Sequence, residues 1–225
     1  MMGSCCFWKR FKKGSSDAKK VIDSYFYPSD FQVVWNRIHC REAYSIFDSD
    51  AEWKNYLRYV IDVVKLDIQG SLQARMFYQD TQTCPLIFPA FATRPAEMGK
   101  EVSFEGNTVI CMPYDFKKIA GAVVDINRDG FLKDVEHTGF YFPELKLLII
   151  QSGQHHSSVA SIKGNCGGAA NADVYHLADI YPRLSVSDDY RFWLSKGEDG
   201  EDEPPIEVID PRFALLYNLA KELKL

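Results

Sequence analysis

Residues 145–168 read LKLLIIQSGQHHSSVASIKGNCGG, and the parsing of this stretch decides the fold. From Leu145 to Ile150 the chain is aliphatic apart from Lys146, too short for a helix and without the alternation of a strand that has one wet face. Such a run is expected to be a strand buried on both sides. Gly153 then breaks it, residues 157–163 suit a short helix, and the glycines of 164–168 form a loose exit. A strand that delivers a glycine turn onto a helix N-terminus exposes backbone N–H groups at the positive end of the helix dipole. An anion such as phosphate fits there, and His155 and His156 in the turn can donate to it or exchange a proton near neutral pH.

Working outward, residues 139–142, Pro143-Glu144 and 145–150 read as a hairpin, and the β-branched NTVICM of 107–112 as a further strand. Between them, residues 115–125 (DFKKIAGAVVD) carry Phe116, Ile119 and Val123 on one helical face. Residues 172–177 suit another strand, and the acidic 197–205 a loop. Asp210-Pro211 is an N-cap and N1 pair for a last helix with Phe213, Leu216, Tyr217, Ala220 and Leu223 on its inner side. Upstream, Ser29-x-x-Gln32 and Ser49-x-x-Glu52 have capping-box spacing. Behind the second, Trp53, Leu57, Val60 and Val64 form an amphipathic stripe that Gly70 is expected to end or bend. The organisation expected is a flexible basic leader (1–16), a helical region (17–82), a Pro- and Gly-interrupted connector (83–106) and a mixed core (107–225), hence an α+β protein.

A chain of 225 residues with 46% hydrophobic and 25% charged residues is globular rather than disordered. No apolar run approaches the ~18 residues of a membrane span. The net charge of -5 argues against a surface that is nucleic-acid footprint throughout, although a local patch can still bind phosphates. Six cysteines show no C-x-x-C pair, and the first apolar tract ends at Trp8, so reduced thiols in a cytoplasmic protein are expected. The leader MMGSCCFWKRFKK resembles an acylated anchor in its glycine, cysteines and basic run, but Phe7 stands where a myristoylation signal has Ser or Thr.

Residues 125–136 spell a calcium loop, with Asp125, Asn127, Asp129, Gly130 and Glu136 at positions 1, 3, 5, 6 and 12. The entering helix is present, yet HTGFYFPE follows Glu136 where an EF-hand needs a second helix. A turn between helix and strand is the expected reading of Asn127, Asp129 and Gly130, with calcium binding as the alternative.

The SGQHHS of residues 152–157 resembles the Gly-Asn-His-Arg or Gly-Asn-His-Ser turn of the ParB/sulfiredoxin-like superfamily, with Gln154 in place of Asn. Together with CMPYDFKKI, GFLKDVEH and VYHLADIYPRL, residues 107–184 look like an uncharacterised bacterial family with such a turn and an upstream segment of an aromatic residue, an Asp and a His, here Phe131, Asp134 and His137. The resemblance implies a ParB/sulfiredoxin-like mixed core behind an N-terminal helical layer, and a turn that holds nucleotide phosphates. His156 and Ser157 stand where better-studied members place a clamping Arg, for which Arg183 is available.

The expected constellation is therefore His155, His156, Asp134 and His137 as acid/base and orienting groups, with Gly153, Gln154 and Ser157 holding the ligand. The structural alternatives are turn histidines satisfied by backbone and an Asp134–His137 brace beneath the turn. His39, His176 and Cys166 read as structural, and the spacing of His155, His156, Cys166 and His176 matches no zinc motif, so no metal ligands are assigned. The function expected is binding of a phosphate-bearing small molecule or nucleic acid, as a phosphodiesterase, nuclease or nucleotide hydrolase that would use a divalent metal. The alternative is a non-catalytic sensor that meets a protein partner through its N-terminal helical region.

Overall fold

The aliphatic run becomes the strand around which the molecule is built. The computed structural model describes residues 31–40, 45–78, 94–131, 136–164, 167–197 and 199–225. In it the run forms β4 (Leu147–Ser152), with β3 (Thr138–Phe142) antiparallel on one side and β2 (Thr108–Ile110) parallel on the other. A 3-10 turn, Pro143–Leu145, makes the β3–β4 corner of the expected hairpin. β5 (Ala169–Val174) lies parallel to β3, and β1 (Glu97–Ser103) is antiparallel to β5, giving the order β1-β5-β3-β4-β2.

Alternate residues of a strand face opposite sides, and on β4 both sides are packed. Leu147 and Ile149 enter one apolar layer and Leu148 and Ile150 the other, all of them at most 4% exposed. Each such side chain is worth about 1.5–3 kcal/mol of burial, which explains why the strand shows no polar alternation. One layer is covered by α3 (Phe116–Asp129) and α4 (Gln154–Lys163), whose Ala122, Ile126, Val159 and Ala160 meet Val109, Cys111, Leu148 and Ile150. The other is covered by α1 (Phe31–Ile38), α2 (Asp50–Tyr78), the short α5 (Leu177–Ile180) and α6 (Pro211–Leu223). A second sheet, β6 (Leu184–Val186), β7 (Phe192–Ser195) and β8 (Ile206–Glu207), joins that layer through Trp193. The protein is mixed α and β, a five-stranded sheet between two helical layers.

Local signals account for the helix ends. Ser49 Oγ accepts the Glu52 N–H at 3.3 Å, and Glu52 reaches back to the Asp48 N–H at 2.8 Å. Asp210 accepts the Arg212 N–H at 3.1 Å with Pro211 at the first helical position. Ser29, of the first expected capping box, lies outside the described residues.

The architecture departs from expectation in several places. α2 continues past Gly70 to Tyr78, because its buried face (Leu57, Ile61, Ile68, Leu72) is unbroken and outweighs one glycine. The connector expected over 83–106 contains β1, which pairs with β5 along its backbone despite a mostly wet surface. The strand expected over 172–177 begins at Ala169, and Leu177 opens a helix instead. Nor are the helices a separate region, since α2 and α6 share one core with β2 and β4.

Candidate functional site

Because β2 and β4 are parallel neighbours, their carboxyl ends emerge at the same edge of the sheet. β2 continues through residues 111–115 into α3, and β4 through Gly153 into α4, so two helix N-termini start side by side. In α/β proteins this edge is where ligands are held. Gln154 ties the two exits together. Its Oε1 accepts the Met112 N–H at 2.7 Å, and its amide donates to the carbonyls of Ile150 and Gln151. A second tie is the Asp115 N–H, which donates to His155 Nε2 at 3.2 Å.

The two N-termini are finished differently. Asp115 caps α3, accepting the N–H groups of Lys117 and Lys118 at 2.8 and 3.3 Å. That charge-assisted bonding holds its carboxyl below the usual carboxylate range. α4 starts from Gly153, whose φ of 76° is left-handed, and no side chain caps it. The first α4 amides are thus left without the carboxylate that α3 carries.

α4 begins at Gln154, three residues ahead of the expected 157, so His155 and His156 occupy its first turn, about 100° apart around the axis. They consequently face different neighbours. His155 is buried, edge-on to Tyr114 with ring centroids 4.7 Å apart. Burial, reinforced by Lys118 and His156 and opposed by Asp115, holds its pKa below the ordinary value. It is therefore neutral at neutral pH, and its accepting Nε2 assigns the ring hydrogen to Nδ1. His156 turns toward α3. Its Nε2 lies 3.6 Å from Asp125 Oδ2, beyond hydrogen-bond range, and has no hydrogen-bond partner.

His137 lies beneath the turn, its ring 4.5 Å from that of Phe131 and 6.3 Å, perpendicular, from that of His156. The ring presses against Gly153, where an added Cβ would come within 2.4 Å of it. Ser157 is fully buried. Its N–H donates to the Gly153 carbonyl at 3.0 Å, while its hydroxyl has no hydrogen-bond partner.

Of the expected constellation, the fold brings together Gly153, Gln154, His155, His156, Ser157 and His137, whereas Asp134 lies outside the described residues. Gln154 spends its amide on backbone groups. The carboxylate facing His156 is Asp125, first position of the calcium-like spelling. α3 continues through that spelling to Asp129, so Asp125, Asn127 and Asp129 are helical, not a loop or the expected turn. On that helix Asp125 and Asp129 pair with Arg128, and Asn127 accepts from Lys163. No group of three or more His, Cys, Asp or Glu side chains among the described residues is placed to hold a metal ion.

The remaining candidates lie elsewhere. His39 stacks on Trp35 and pairs with Glu222 at 2.7 Å, and His176 pairs with Glu144 at 2.7 Å. Cys166 falls outside the described residues. Arg183 lines a groove of about 390 Å³ with Tyr181, Ser195, Lys196, Asp202 and Glu203, a wall that includes none of the turn residues.

These features define a mixed α/β protein that gathers three histidines and two helix N-termini at the carboxyl edge of a parallel strand pair. The chain belongs to a family of unknown function, DUF6710, whose model matches residues 8–224 and so takes in α1 and α2 as well as the sheet. No curated protein and no solved structure matches it. No helix among the described residues is long and apolar enough to cross a membrane.

Proposed function

We propose that the α4 N-terminus is a binding site for a phosphate-bearing ligand, held by the backbone N–H groups of residues 154–156 with the His156 side chain as a further contact. The observation that carries this reading is the uncapped first turn of α4 beside the Asp-capped turn of α3. An anion would complete α4 as Asp115 completes its neighbour. The location at the carboxyl ends of β2 and β4 and the likeness of the turn to ParB/sulfiredoxin-like turns support it. His155 has a supporting part, since its Nε2 already accepts from Asp115.

A thermal-shift titration of the full chain with pyrophosphate and nucleotides tests the proposal. A ligand at 100 times its Kd adds about 2.7 kcal/mol of apparent stability, and that shift is expected to vanish in His156→Ala. No shift with any phosphate compound would sink the reading. A hydrolytic version draws on the imidazole of His156, whose Nε2 stands 3.6 Å from Asp125 Oδ2 with the perpendicular ring of His137 beside it. Release of nitrophenol from bis(nitrophenyl) phosphate, with and without Mg²⁺ or Mn²⁺, separates hydrolysis from binding alone.

A further inference from the structure

Beside the turn the surface carries aromatic rings that no core requires. Tyr114, Phe116 and Phe77 are 51%, 62% and 58% exposed, although burying each ring would be favourable. They are held in place. Tyr114 follows the buried Pro113 and sets its edge against His155. Lys118 Nζ donates to the Tyr114 hydroxyl at 3.3 Å and stands 5.2 Å from the ring centroid. Phe77, near the end of α2, meets Phe116, the first residue of α3, with centroids 5.9 Å apart. Lys117 and Lys118 add exposed positive charge in the same turn of α3.

Exposed aromatics interleaved with lysines are the surface on which nucleobases stack while cations follow the phosphates. Tyr114 touches His155, the second residue of α4, so the rings begin one side chain away from the amides proposed to hold phosphate. We infer that the ligand of this site is a nucleotide, free or at the end of a single strand, whose base stacks on Tyr114 and Phe116. The inference rests on the phosphate reading of the α4 turn and adds the base to it. Duplex DNA fits the observations less well, because the chain carries a net charge of -5 and its exposed cations here are confined to one turn.

The test is calorimetric titration of the full chain with nucleoside 5′-monophosphates, ribose 5-phosphate, inorganic phosphate and a short oligothymidylate. Nucleotide is expected to bind about 5- to 140-fold more tightly than ribose 5-phosphate, the fold-change that a stacked base contributes. Tyr114→Ala is expected to erase that difference and leave phosphate binding unchanged, while Tyr114→Phe keeps it. Tighter binding of the oligonucleotide than of the mononucleotide assigns the site to a strand, and equal binding to a free nucleotide. Equal affinity for nucleotide and ribose 5-phosphate, untouched by Tyr114→Ala, overturns this inference and leaves the phosphate reading standing. No binding of any of the four overturns both.

Discussion

Gly153 does two separate things at one position. Its φ of 76° turns β4 into α4, and its missing Cβ leaves room for the His137 ring. Gly164, at φ 75°, has nothing within 4 Å of an added Cβ, so it separates the two effects. Gly164→Ala should lose about 1 kcal/mol, the left-handed penalty alone. Gly153→Ala should lose about 1–3 kcal/mol through strain and contact with His137 together, and should weaken phosphate binding by tilting the first turn of α4. Urea denaturation of the two variants checks the comparison, and equal losses would remove His137 from the account. His155 and His156 were legible in the sequence as a pair, but their division of labour was not. It follows from the start of α4 at Gln154, which points one ring at Asp115 and the other at Asp125.

Among the elements, α2 departs most from its sequence signals. It runs through Gly70, which is exposed, inside the helix, and free of any atom within 4 Å of a new Cβ. Gly70→Ala should therefore stabilise the protein by about 1 kcal/mol, read as a rise in melting temperature, and a fall would mean that the glycine backbone has a use of its own. The stripe that begins with Trp53 and Leu57 was readable from its spacing, and it continues through Ile61, Ile68 and Leu72. α3 shows the reverse case. Its sequence spells a calcium loop because Asp, Asn and Gly favour turns, yet Ala122 and Ile126 anchor the helix on the sheet through the same residues. The local preference is a fraction of a kcal/mol per residue, and the packed face outweighs it.

For the whole molecule, the last helix is locked to the first long one by a buried charge. Arg212, 5% exposed, donates to Asp210 at 2.6 and 2.9 Å, to Asp67 of α2 at 2.8 Å and to Ser71 at 2.7 Å. These carboxylates outweigh the cost of burial and raise the guanidinium pKa further. Arg212→Ala would leave Asp210 buried without its partner and should cost about 3–5 kcal/mol. Arg212→Lys should recover only part, since an ammonium cannot make the paired contacts. A urea midpoint unchanged in Arg212→Ala would show that α2 and α6 are held by their apolar faces alone.

The sequence by itself determined the strand–turn–helix at residues 147–163, the hairpin before it and the cap of α6. Each of these is a local event, set by an aliphatic run, a glycine or an Asp-Pro pair. Only the tertiary structure decided which groups meet the turn. Asp115, Asp125 and Tyr114 are about 30 to 40 residues from His155 and His156 in sequence, and arrive because β2 lies parallel to β4. No periodicity encodes that pairing. It comes from burying both faces of one aliphatic strand, and the sheet order that does so places two helix N-termini at the same edge.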